Sequence, residues 1–190
     1  GNTMPDGGFL QALKDDIAAG QLPQVSWIVA PATYSEHPGP SSPVQGAWYT
    51  QEVLNALTAN PAVWSKTVLF INFDENDGFF DHVPPPAVVP PSPPQPGQLF
   101  AFDRLGVRVP AVVVSPWIPK GTLFRSTAAQ PYDHTAIIKT LRVRYNIRTP
   151  LTARDASAPD LGQVLELSAP DDNRDPVVAR AMAANPAGLQ

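Results

Sequence analysis

The chain has 190 residues, of which 24 are proline and none is cysteine, and its formal net charge is −4. That length can bury one substantial core, whereas the proline content predicts long irregular segments. The composition excludes disulfides and thiolate metal sites, the lack of a basic stripe predicts no nucleic-acid partner, and no apolar run reaches the ~20 residues of a transmembrane segment.

The first half of the chain predicts two helices and two strands. Apolar residues at helical spacing, followed by Gly20, predict a short helix over 9–17. The apolar run 25–30 predicts a strand buried on both faces. A second helix is predicted over 44–60 and a second strand over 67–73. This alternation is typical of an α/β protein with a mostly parallel sheet and helices on both faces.

The second half opens with a proline-rich excursion over 84–110, which we expect to be an extended surface loop because proline donates no ladder hydrogen bond. Residues 109–115 predict another buried strand, and Asp133 is expected to cap a helix after it. Short helices are predicted near 161–165 and 177–184. We therefore expect one domain over 1–150 and a C-terminal tail over 151–190 that packs on it.

All three histidines lie in acidic clusters that follow predicted strands: Glu36–His37, Asp74–Glu75 with Asp81–His82, and Asp133–His134. Ligands of open α/β sheets collect at the carboxyl ends of strands, so these clusters predict a site. The adjacent carboxylates of Asp74 and Glu75 repel each other, and a divalent cation would screen them. The alternative is a solvated turn.

Spacing excludes two familiar metal sites, because the residue expected to be the glycine of an EF-hand is Phe79 and no two histidines stand four apart. Taken singly, His37 is also explained as an exposed loop histidine. His82 and His134 are each explained either as an imidazole fixed by the preceding aspartate or as part of a turn and a helix cap. The aromatic residues are expected to pack, namely Phe79, Phe80, Trp27, Trp48 and Trp64.

Four short elements carry a family resemblance. Residues 74–83, DENDGFFDHV, resemble the D-E-x-x-G-F-x-D-H-V signature of the bacterial phosphoesterase family that includes phosphatidylcholine-type phospholipases C and related acid phosphatases. The S-E-H-P element of that family matches 35–38, its S-P strand end resembles 114–117, and its D-H-T helix start resembles 132–135. Four elements in the same order make the resemblance specific.

The resemblance implies an alkaline-phosphatase-like fold and a secreted or periplasmic hydrolase of phosphoric esters, with phospholipids among the substrates. It also implies a divalent metal ion and a serine or threonine nucleophile. By this resemblance, the metal ligands are Asp74 and Glu75, the catalytic residues are His37 and His82, and the substrate-binding residues are Glu36, Asp81 and His134. A cation and histidines suit the negative charge that develops during phosphoryl transfer.

One departure limits the resemblance. The E-N-R-S-F-D element and the nucleophile of the family precede the S-E-H-P element, and residues 1–34 have no counterpart. We therefore expect the chain to be the C-terminal portion of such an enzyme, incomplete in fold and inactive alone, with the missing N-terminal half as its partner. Two alternatives are a hydrolase of sulfate or phosphonate esters and a non-catalytic binding module that uses the polyproline segment 84–96.

Overall fold

The structure is a computed structural model that describes residues 9–171, and these residues fall into two compact units. The described part of the first unit comprises residues 9–69 and 169–171, and the second unit comprises residues 70–168. Among the residues described, no helix has the length and apolar character needed to cross a membrane. The helix predicted over 177–184 lies outside the described residues.

The first unit is helical. It contains α1 (Gln11–Ala18), a 3₁₀ turn (Ala32–Tyr34), α2 (Pro43–Thr58) and α3 (Pro61–Trp64). The helix α2 starts at Ser42, whose hydroxyl accepts the Gln45 N–H, and proline occupies the first helical position, where no N–H donor is needed. The two helices predicted in this half of the chain are thus confirmed as α1 and α2.

The core of the first unit is built on aromatic rings. Phe9 and Tyr34 pack against Trp48 and Tyr49 of α2, with ring centroids 5.0 to 5.9 Å apart. Trp64 is also buried, so the prediction that Trp48 and Trp64 belong to the core is confirmed. Tilted and edge-on ring pairs of this kind add to the stabilisation from area burial alone.

The predicted strand over 25–30 is wrong. This segment contains no strand, and Trp27 and Val29 are 72% and 86% exposed, so the prediction of a core position for Trp27 is also wrong. An apolar segment becomes a strand only when another strand completes its backbone hydrogen bonds. No strand among the described residues pairs with this segment.

The sheet belongs to the second unit, apart from Leu69 at the start of its first strand. Strands β1 (Leu69–Asn72) and β2 (Ala111–Val114) pair as a two-stranded sheet, and the helices are α4 (Thr135–Arg144), α5 (Ala153–Ser157) and a 3₁₀ turn (Leu161–Val164). The strands predicted over 67–73 and 109–115 are confirmed in position. The prediction that the second of these strands is buried is wrong, because Ala111 and Val112 are exposed. The mostly parallel sheet and the likeness to alkaline phosphatase stay predictions.

Helix α4 begins where it was predicted to begin. The Asp133 carboxylate accepts hydrogen bonds from the N–H and the hydroxyl of Thr135, at 2.8 and 2.6 Å, and so caps the helix as expected. The predicted excursion is also confirmed as irregular, since a single antiparallel bridge between Ala87 and Arg104 is its only strand-like pairing among the described residues.

Asp155 joins α5 to α4. Its carboxylate is 1% exposed and accepts the N–H groups of Leu151 and Thr152, and the Arg142 guanidinium lies 3.1 Å away. Burial alone would raise the pKa of Asp155, but the hydrogen bonds from Thr152 and Leu151 and the charge of Arg142 hold that pKa below its usual value. The carboxylate is therefore an ionised link between the two helices.

Candidate functional site

The acidic loop, residues 73–83, follows β1 directly and contains a tight turn. The Phe79 N–H donates to the Asn76 carbonyl at 3.1 Å, and the Asn76 side-chain amide donates to the Phe79 carbonyl at 2.7 Å. The two central residues, Asp77 and Gly78, have φ of 57° and 76°. Glycine adopts this left-handed region freely and aspartate tolerates it, so the Asp-Gly pair permits the turn.

The start of the acidic loop is fixed by a histidine. His134 Nε2 lies 2.8 Å from the Phe73 carbonyl and donates to it. His134 stands at the N-cap position of α4, yet its side chain makes no capping hydrogen bond, and Asp133 caps instead. The imidazole therefore links the start of α4 to the backbone immediately before Asp74.

The end of the acidic loop is fixed by an arginine. Arg108 Nε and Nη2 donate to the two Asp81 carboxylate oxygens at 2.6 and 2.9 Å, and the Val83 N–H also donates to this carboxylate. This bidentate hydrogen bond from Arg108 is the main reason that the pKa of Asp81 falls to about 2. Arg108 was not predicted, because it stands 27 residues from its partner and in no recognised motif.

His82 is largely accessible to solvent. Its side chain is 91% exposed, and its Nδ1 lies 3.6 Å from the Asp81 carboxylate, which is beyond hydrogen-bond distance. Asp81 therefore does not hold the imidazole in one orientation. Of the two interpretations left open for His82, this geometry favours the exposed turn residue.

Asp74 and Glu75 are both exposed at the start of the loop. One Asp74 oxygen accepts the Glu75 N–H at 3.0 Å, which leaves the other oxygens accessible. In the described ranges, no three His, Cys, Asp or Glu side chains are grouped closely enough to hold a metal ion. Zn²⁺ takes four ligands and Mg²⁺ and Ca²⁺ take six or more, so these two carboxylates fit part of a metal shell and not a whole one.

Phe79 and Phe80 are exposed, so the prediction that they pack is wrong. They follow the tight turn, and nothing in the described part of the chain covers them. Both side chains are apolar, but apolar character alone does not specify which surface a side chain packs against.

Glu36 and His37 lie in the first unit, on the loop that precedes α2. The Ser41 hydroxyl accepts the Glu36 N–H at 3.0 Å and donates to the Thr33 carbonyl at 2.9 Å, which holds the loop closed. The exposed His37 ring has its Nδ1 2.9 Å from the Pro38 carbonyl. Since a carbonyl only accepts, Nδ1 carries a proton and Nε2 faces away from that bond.

Glu36 also packs closely on α2. Its φ is 64°, a left-handed conformation that is uncommon for a side chain of this size. A Cβ atom on Gly46 would lie 2.1 Å from Glu36 Cγ, so only glycine leaves room for the glutamate in this arrangement. The structure thus places five predicted site residues on or against one loop of the second unit, and the other two on a fixed loop of the first.

The described residues contain helices, a two-stranded sheet and a fixed acidic loop that follows the first strand directly. This combination is that of an α/β protein. The chain belongs to the phosphoesterase family, since a model of that family matches residues 2–148. The resemblance drawn from four short elements is therefore confirmed.

Curated relatives are phospholipases C by name. The chain is 50% identical to the non-hemolytic phospholipase C of Pseudomonas aeruginosa, over 74% of this chain and 22% of that protein. It is 43% identical to the non-hemolytic phospholipase C of Burkholderia pseudomallei, over 90% and 26%, and 38% identical to phospholipase C B of Mycobacterium tuberculosis, over 85% and 33%. The chain thus spans between about a fifth and a third of these relatives.

Proposed function

We propose that the protein hydrolyses phosphoric esters as a phospholipase C, and that this chain carries one part of the catalytic site. The observation that carries the proposal is the acidic loop, which follows β1 directly and is fixed at both ends by His134 and Arg108. The names of the relatives supply the substrate class, a phospholipid. Secretion or export to the periplasm stays a prediction.

Asp74 and Glu75 are proposed as ligands of a divalent cation, which would neutralise negative charge on the phosphoryl oxygens when bound. Two carboxylates fill only part of such a shell. The remaining ligands and the serine or threonine nucleophile are proposed to lie in a part of the protein outside these 190 residues.

The histidines are proposed to handle protons and the phosphoryl group. The His37 Nδ1 proton is engaged by the Pro38 carbonyl, so in the imidazolium form Nε2 is the atom that would donate its proton to the leaving alkoxide as a general acid, leaving a neutral imidazole. His82 is accessible enough to contact the phosphoryl group. Glu36, beside His37, is proposed to bind the alcohol portion of the substrate. Its carboxylate is an anion and would repel the negatively charged phosphate portion.

Asp81 and His134 are better explained as positioning residues than as groups that contact the substrate. Both oxygens of Asp81 accept hydrogen bonds from Arg108, and the negative charge of Asp81 opposes an approaching phosphate. One nitrogen of His134 is engaged by the Phe73 carbonyl. Both side chains hold the loop that carries Asp74 and Glu75.

The test is a substrate comparison on the protein as its gene encodes it. A chromogenic phosphocholine diester, p-nitrophenyl phosphate and p-nitrophenyl sulfate would be offered with divalent cations, with a chelator, and after cations are restored. We expect the diester to be hydrolysed fastest, the chelator to stop turnover, and a divalent cation to restore it. Faster turnover of the sulfate ester, or no turnover of either phosphate ester, would contradict the proposal.

A further inference from the structure

The proline-rich excursion carries no charge before Asp103. Between His82 and Asp103 the twenty residues include no lysine, arginine, histidine, aspartate or glutamate, although 16% of the chain is charged. Near the end of this stretch Leu99 and Phe100 are 89% and 71% exposed, and Phe102 is exposed as well. Large apolar side chains grouped on a surface indicate contact with a partner or a membrane.

The base of the excursion is closed by pairing of its two limbs. The Val88 N–H donates to the Asp103 carbonyl at 2.8 Å, and the Leu105 N–H donates to the Pro86 carbonyl at 3.0 Å. These bonds flank the antiparallel bridge described above. The excursion is therefore a hairpin-like projection with a defined base.

Helix α5 reinforces that base. Arg154 donates to the Val89 carbonyl at 2.9 Å and to the Phe102 carbonyl, so one guanidinium joins both limbs. The Ala153 N–H donates to the Pro91 carbonyl at 3.1 Å. Because the limbs are held in place, little conformational freedom of the base would be lost when the outer part binds a surface.

The outer part, residues 93–102, is called the apolar tip. It contains the turn 95–98, in which the Gln98 N–H donates to the Gln95 carbonyl at 3.0 Å and the Gln98 side-chain oxygen accepts the Gln95 N–H at 3.0 Å. Pro96 and Gly97, with φ of 81° at the glycine, are the residues that a type II turn requires. Leu99 and Phe100 thus follow a fixed turn.

We propose that the apolar tip docks the enzyme on a phospholipid surface that has no net charge. This inference rests on the proposed function, since a phospholipase C must reach a substrate embedded in lipid. Leucine and phenylalanine side chains gain free energy by leaving water at the acyl boundary, and an uncharged tip has no ion to desolvate. A tip without basic residues has no attraction for anionic lipid.

The prolines favour the same occupant. Three of the ten residues of the apolar tip are prolines, namely Pro93, Pro94 and Pro96, and each removes one backbone N–H donor. A donor that leaves water without a partner costs free energy, so a proline-rich backbone enters a lipid interface at lower cost than an ordinary loop. A protein partner would recognise the same segment with less specificity, because the segment offers few donors for hydrogen bonds across an interface.

The test compares a Leu99→Asp/Phe100→Asp variant with wild type, both as the gene encodes the protein. Binding to phosphatidylcholine vesicles is measured by co-sedimentation without turnover, and hydrolysis is measured on a short-chain phosphatidylcholine below its micelle concentration. We expect at least tenfold weaker vesicle binding with unchanged hydrolysis of the monomeric substrate. Leu123→Asp is the control, since Leu123 is 82% exposed and lies outside the excursion; it should bind as wild type does.

Three results would overturn the inference: no vesicle binding by wild type, equal binding by the double variant, or an equal loss from Leu123→Asp. If circular dichroism shows that the double variant is unfolded, Leu99→Ser/Phe100→Ser is tested in its place. Unfolding of that variant too would mean that protein covers the tip, which also overturns the inference. Wild type that binds vesicles but hydrolyses no phosphate ester would contradict the proposed function and leave the docking result standing.

Discussion

Arg108 is the residue that determines where the acidic loop ends. It lies outside the loop, yet both Asp81 oxygens accept hydrogen bonds from it. A neutral glutamine at position 108 cannot replace the bidentate contact, and a lysine replaces it as a point charge only. Small displacements of catalytic groups reduce rates steeply, so under the proposed function Arg108 should matter for turnover as a positioning residue.

We therefore expect Arg108→Gln to lower kcat on the order of 10²-fold, with KM changed much less, because the loop that carries Asp74 and Glu75 loses its fixed end. Arg108→Lys should recover part of that loss. Steady-state kinetics on a soluble phosphodiester would measure both. A wild-type kcat in Arg108→Gln would show that the contact has no positioning role.

The same contact predicts a pH dependence of stability. The pKa of Asp81 is about 2 in the folded chain, and an aspartate in an unfolded chain has a pKa of about 3.9. The stabilisation from this lowered pKa is present above pH ~4 and is lost as the pH falls toward ~2. The thermal midpoint of wild type should exceed that of Arg108→Gln at pH 5, and the difference should shrink by pH 2. A difference independent of pH would contradict this account.

Removal of the Asp155 side chain is predicted to lower the free energy of unfolding more than removal of an exposed aspartate. Asp155→Ala would leave the Arg142 cation and the Thr152 N–H without the carboxylate that they contact. Breaking a buried pair of this kind costs about 3–5 kcal/mol in the free energy of unfolding. Urea unfolding of the chain would measure the cost, with Asp103→Ala as the exposed control. Equal midpoints for the two variants would contradict the prediction.

At the scale of elements, α2 and the loop before it are coupled through Gly46. In most helices Gly→Ala stabilises by up to ~1 kcal/mol, but here the new Cβ would lie 2.1 Å from Glu36 Cγ. We expect Gly46→Ala to destabilise the chain and to displace Glu36 and His37. Ala47→Gly, at an exposed position of the same helix, reports the ordinary propensity cost. A stabilising Gly46→Ala would show that Glu36 moves aside freely.

Elements set by local signals were predictable from the sequence. Helix α2 follows from its apolar spacing and its Ser42 cap, and α4 from Asp133, because both signals lie within a few residues of the helix. The strand expected over 25–30 is absent, and the sequence could not reveal this, since a strand depends on pairing that an apolar pattern does not specify. The contact between Arg108 and Asp81 depends on tertiary structure for the same reason. Motif order identified the acidic loop but not what holds it.

At the scale of the whole molecule, the chain spans 22% to 33% of relatives that are named phospholipases C. Both units leave large apolar side chains exposed, including Trp27 in the first and Phe80 in the second. Exposed apolar surface of this extent is typical of a surface that other protein or lipid covers. Activity is therefore proposed for the protein as its gene encodes it.

Asp74 and Glu75 are proposed to hold a catalytic cation. The most direct measurement is the rate of phosphodiester hydrolysis by Asp74→Asn and Glu75→Gln at saturating divalent cation, with Asp77→Asn as the matched control in the same loop. We expect each site variant to lose on the order of 10²–10³-fold in rate, whereas Asp77→Asn should keep the wild-type rate, because asparagine also tolerates the left-handed conformation at that position. Wild-type rates in both site variants would contradict the account.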